Sequence, residues 1–71
     1  MKTKATYLSN IKAERVRAGL TQEQLAKKLG ISATSYNLKE TGARHFTVEE
    51  LMLLAAAVNS DPESLLKTPL S

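Results

Sequence analysis

The chain has 71 residues, no cysteine, 42% hydrophobic residues and a net charge of +3, which describes one small folded domain rather than a disordered tail. The missing cysteines exclude a disulfide framework and thiolate metal sites. The longest apolar run, Leu51 to Val58, has eight residues, against about 20 for a membrane span, and MKTKATYLSN lacks a signal peptide's apolar stretch, so the expectation is a soluble, cytoplasmic protein.

Only Tyr7, Tyr36 and Phe46 are aromatic, so the core must come mainly from Leu, Ile, Val and Ala, a composition that favours helices over strands. After a basic arm (1–6, with Lys2 and Lys4), a first helix is predicted over 8–18, with Leu8, Ile11, Ala13 and Val16 inward and Gly19 as its stop. Thr21 with Gln24 forms a capping box opening a second helix over 22–29, whose buried stripe is Leu25, Ala26 and Leu29.

Gly30 ends that helix, and Ser32 is a natural N-cap for a third helix over 33–40, closed by Gly42. Thr47 with Glu50 repeats the capping box and opens a fourth helix over 48–58, with Val48, Leu51, Leu54, Ala55 and Val58 on one face and Asn59 at its end. Asp61 and Pro62 start a short fifth helix over 62–67 carrying Leu65 and Leu66, and 68–71 is a frayed tail. The connections are short and no period-2 alternation occurs. The expected fold class is therefore all-α, a compact five-helix bundle in a single domain.

Charge is unevenly spread along this order. Residues 1–45 hold nine Lys/Arg against three Asp/Glu, and residues 46–71 hold one against four. One face directed at a polyanion would explain the split, and so would ordinary solubilising charge. The tight glycine-containing turn between the second and third helices decides more. It is the signature of a helix-turn-helix, whose steep crossing needs a small residue such as Ala26 at the contact, with Ile31 and Tyr36 filling the space between.

LTQEQLAKKLGIS is the most specific string in a similarity that runs from about Leu8 to Leu66. The chain resembles the lambda-repressor-like (Cro/repressor type, XRE family) helix-turn-helix domains of phages and bacterial regulators. KETG followed by FTVEEL is similar to small regulators of Gram-positive phages and mobile elements. The resemblance implies five short helices with the third as recognition helix.

It also implies roles. Gln22 matches a glutamine that binds phosphate and braces the recognition helix, and a helix N-terminus suits that task chemically. With Tyr36 inward, Ser32, Ala33, Thr34, Asn37 and Leu38 fall on the family's base-reading positions. Asn37 suits adenine, and Thr34 suits a hydrogen bond or a methyl contact. Ala33 and Leu38 can read only thymine methyls or groove shape, and Leu38 would equally serve as a protein contact. Lys39 stands where the family usually has an apolar residue, with its ammonium able to reach phosphate or simply water. Arg15 and Glu40 match an ion pair that ties the first helix to the end of the third.

Phe46 replaces a frequent proline and is expected as a core plug. Arg44 and His45 before it are candidates for phosphate contact. His45 is the only histidine and has no companion ligands, so neither a metal nor another cofactor is expected. Lys27 and Lys28 are less specific.

The expected partner is double-stranded DNA, bound by a homodimer because one module buries only ~600–1,000 Å². The competing reading is a protein-interaction module, antitoxin-like or bridging, with DNA binding secondary or lost. An enzyme is the weakest class: no nucleophile–base constellation exists, and no small-molecule substrate is expected.

Overall fold

The computed structural model describes residues 3–66, with side chains described from Tyr7 onward. Five helices follow in order: α1 Thr3–Arg17, α2 Gln22–Leu29, α3 Ala33–Glu40, α4 Val48–Ala57 and α5 Pro62–Leu66. No strand occurs among the described residues, and none of their helices is long and apolar enough to cross a membrane.

The helix starts follow from local chemistry. Thr21 and Thr47 each accept the amide of the residue three positions on, while Gln24 and Glu50 accept the cap's own amide in return. Ser32 does the first half of this for α3 through the Ser35 amide at 3.1 Å. Each arrangement satisfies donors that a helix start leaves without partners.

Gly30 makes the turn. Its φ of 77° is left-handed, which lets the Ile31 amide return to the Ala26 carbonyl at 3.0 Å and its own amide to Lys27 at 3.1 Å. A Cβ placed on Gly30 would meet nothing within 4 Å, so the requirement is backbone conformation rather than space. Asn59 performs the same reversal after α4 with φ 58°.

The turn folds α3 back onto α2, and the two share the most extensive helix–helix packing. Ile11, Leu25, Tyr36, Leu54 and Leu65 are fully buried, with Ala26 at the same core. Burying each large side chain contributes roughly 1.5–3 kcal/mol. Phe46 closes the core from the loop, its ring edge-on to Tyr36 at a centroid distance of 5.8 Å. α5 seals the far side: Leu65 is buried and its carbonyl accepts from Asn10 Nδ2 at 3.2 Å.

Several sequence expectations need correction. α1 starts at Thr3 rather than residue 8, so residues 3–6 of the expected arm are helical; nothing between Thr3 and Leu8 breaks a helix. Ala13 and Val16 are exposed, Val16 by 59%. The buried row runs Leu8, Ile11 and then Arg15, and a second apolar position one residue later is rotated out by about 100°. Val48, in the first turn of α4, is 74% exposed because the inward row starts at Leu51 and continues through Leu54, Ala55 and Val58. Val58 itself is the C-cap. Leu66 is half exposed. Lys2, Lys67 and the tail lie outside the described residues.

Candidate nucleic-acid interface

α3 has one buried side and one bare side. Tyr36 is 0% exposed and Glu40 is buried, one turn apart, and they fix which way the helix faces. Ser32, Ala33, Thr34 and Asn37 are exposed and Leu38 is half-buried beside them. Helical spacing puts Ala33, Asn37 and Thr41 in one row, with Thr34 and Leu38 in the next. Ser32 is partly committed, since its hydroxyl oxygen caps the helix.

The Glu40 carboxylate is the hub beneath this surface. Its Oε2 accepts from Arg15 Nε at 2.9 Å and from Tyr36 OH at 2.6 Å; its Oε1 accepts from Gln22 Nε2 at 2.8 Å and from Arg15 Nη2 at 3.3 Å. Arg15 spends a further donor on the Leu20 carbonyl at 2.8 Å. α1, α2 and α3 are thus joined at one carboxylate. Burial alone would push Glu40 toward its neutral form, but the donors from Arg15, Tyr36 and Gln22 outweigh it and hold its pKa below the ordinary value. The hydrogen bond to Glu40 likewise raises Arg15. Burial, then the same carboxylate, raises the Tyr36 phenol. No buried side-chain nitrogen or oxygen among the described residues lacks a partner.

Gln22 carries this order to the surface. Its amide oxygen accepts from Asn37 Nδ2 at 3.2 Å, so Gln22 spans the buried carboxylate and the exposed asparagine. A shallow cleft of about 480 Å³ opens beside them, lined by Gln22, Asn37 and Thr41 together with Ser9 and Lys12 of α1. Lys12 places a cation at that cleft.

The remaining expected contacts are placed differently. Lys39 does not stand free: its ammonium meets Glu50 Oε1 at 2.8 Å and the His45 carbonyl at 3.3 Å, with its side chain only 12% exposed. Burial acts to raise Glu50, but Lys39 and the Thr47 amide overcome it and lower its pKa. Arg44 and His45 are exposed on the loop that follows α3. Lys27 and Lys28 are exposed at the end of α2.

Thr41 and Lys12 were not singled out by sequence, and Glu50 was read only as the capping partner of Thr47. Thr41 lies four residues beyond Asn37, and Lys12 three before Arg15, so helical spacing could have found both. Nothing in the spacing links Glu50 to Lys39.

The sequence profile of the helix-turn-helix family matches residues 11–65. The chain belongs to the helix-turn-helix family. It is of the lambda-repressor-like type, whose members are DNA-binding regulators. Its helix-turn-helix is α2, the Gly30 turn and α3. No curated protein and no solved structure matches the chain significantly.

Proposed function

We propose that this helix-turn-helix protein is a sequence-specific transcriptional regulator of the repressor type, which inserts α3 into the major groove of double-stranded DNA. The carrying observation is the pairing of a fully buried Tyr36 with the exposed Thr34 and Asn37, and half-buried Leu38 beside them, on the same helix. Asn37 reads adenine, Thr34 a neighbouring base, and Ala33 and Leu38 contact thymine methyls. Gln22, with the amide ends of α2, and Arg44 on its loop anchor the backbone, with His45 as a further hydrogen-bonding group and Lys12 as a further charge. One module of this size binds weakly, so two copies occupy half-sites about one helical turn apart.

Selection from a random duplex pool tests this reading directly. A recovered palindrome with half-sites about 10–10.5 bp apart is the expected result; a pool that stays random after repeated rounds overturns it.

A protein-interaction module is the second reading, favoured by the exposed Val48, Met52 and Leu53 on α4. Affinity titrated against salt separates the two. Phosphate contacts make log K fall with a slope near −0.9 per contact, whereas indifference to salt on every duplex points to a protein partner.

A further inference from the structure

The loop between α3 and α4 carries Arg44 and His45 into solvent. A cation on a wandering loop must be ordered when it binds, and that ordering offsets much of its contribution. This loop is held at several points. The Arg44 amide donates to the Leu38 carbonyl at 3.0 Å, and Phe46 is anchored in the core. The Thr47–Glu50 capping box fixes where α4 begins. Between these points one side chain reaches across: Lys39 Nζ donates both to Glu50 Oε1 at 2.8 Å and to the His45 carbonyl at 3.3 Å. The two side chains are only 12% and 14% exposed, so the pair is shielded from water.

We infer that Lys39 and Glu50 are positioning residues for DNA binding, clamping the 43–46 loop in the path that presets Arg44 as a phosphate contact, and that neither touches DNA itself. The inference rests on the DNA-binding reading above and changes the role of Lys39 within it. A lysine tied to a carboxylate and a carbonyl has spent two of its three donors, and its charge is already paired. Its reach joins α3, the loop and the first turn of α4 through a single ammonium.

The two roles for Lys39 give Glu50→Gln opposite signs. Glutamine keeps the capping box, as Gln24 does for Thr21 in α2, but removes the charge that holds the ammonium. If Lys39 were a phosphate ligand, E50Q would free it and delete an acid near the polyanion, and binding would tighten. If the pair positions the loop, binding must weaken although the protein has become more positive.

The experiment measures anisotropy of a short fluorescein-labelled duplex of selected sequence, beside an unselected one, across a salt series. The full chain is compared with E50Q, K39M, K39R, R44A and E50Q/R44A, and amide NMR spectra are recorded without DNA. E50Q and K39M should weaken binding about 3- to 10-fold, the worth of roughly one phosphate contact. They should also lose the slope that R44A loses, about 0.9. E50Q should add nothing on top of R44A, and K39R should bind like the unmodified chain. The Arg44, His45 and Phe46 amides should shift in both E50Q and K39M. Tighter or unchanged binding by E50Q, additivity with R44A, or unmoved loop amides overturns the inference. If the unmodified chain binds neither duplex, the DNA-binding reading fails and the inference falls with it, while the amide shifts still report whether the pair holds the loop.

Discussion

Asn37 donates one amide hydrogen to Gln22 at 3.2 Å, across the turn between α2 and α3. Gln22 is itself held by Glu40 at 2.8 Å, so the exposed asparagine inherits its orientation from a buried carboxylate. Asn37 keeps its carbonyl oxygen and a second amide hydrogen. Those are the acceptor and donor that a bidentate contact to adenine needs.

Gln22→Ala should therefore damage recognition more than folding. The Glu40 oxygen it leaves still has Arg15 at 3.3 Å, so stability should change by no more than ~1 kcal/mol. DNA affinity should fall about tenfold, since both a phosphate anchor and the brace on Asn37 are lost. Urea unfolding and duplex titration on the same preparation would reveal the split; equal losses in both would assign Gln22 to the fold alone.

Glu40→Ala removes the acceptor from Arg15, Tyr36 and Gln22 together. Stranding the buried guanidinium should cost about 3–5 kcal/mol, a large share of the ~5–10 kcal/mol expected of a domain this small. Tyr36→Phe, which takes away only the 2.6 Å bond to Glu40, should cost less, about 1.5–3 kcal/mol. An E40A chain as stable as its parent in urea would show that the hub is not a structural tie.

The same carboxylates set the behaviour in acid. Glu40 and Glu50 both titrate below the ordinary value of 4.5 when folded. Below that value the unfolded chain binds more protons than the folded one, so stability falls as pH drops toward their folded pKa values; above it, their contribution is fully present. The urea midpoint should be flat from about pH 7 to about pH 5 and then decline. E50Q should decline less steeply, because one of the two groups no longer titrates. A midpoint unchanged down to about pH 3 would contradict this.

The local parts of this architecture were legible in the sequence itself; of the long-range ones, the Arg15–Glu40 pair and the Gln22 brace came only through the family resemblance, and the rest were not legible. Thr21 with Gln24, Thr47 with Glu50, and Gly30 announce helix ends because cap and partner lie within one turn of each other. Val16 and Val48 were misplaced because an apolar side chain carries no sign of which face its helix buries. At α1 that choice goes to Arg15, a charged residue made buriable only by Glu40, 25 positions away. The Lys39–Glu50 clamp spans 11 positions across a loop, and only the path of that loop brings the two together. On α3 the exposure of Ser32, Ala33, Thr34 and Asn37 followed once Tyr36 was placed inside, since one inward side chain fixes the rest of a short helix, while Leu38 at the edge of that face is half-buried.

Gly30 offers a test of the turn itself. Its φ is 77° and a Cβ there would find open space, so alanine should cost only the left-handed backbone penalty, about 1–2 kcal/mol. Asparagine tolerates that region, as Asn59 does with φ 58° in this chain, so G30N should be more stable than G30A. Thermal melts ranking G30A at or above G30N would argue that the turn does not depend on the left-handed conformation.

The central claim is that α3 reads bases through an asparagine held ready by Gln22. Its most direct test compares the chain with Asn37→Ala on every single-base variant of the selected site. The account predicts that N37A loses discrimination at one adenine position, worth about 1–3 kcal/mol, while the salt slope stays as it was. A uniform loss across all variants, or discrimination that survives intact, would contradict it.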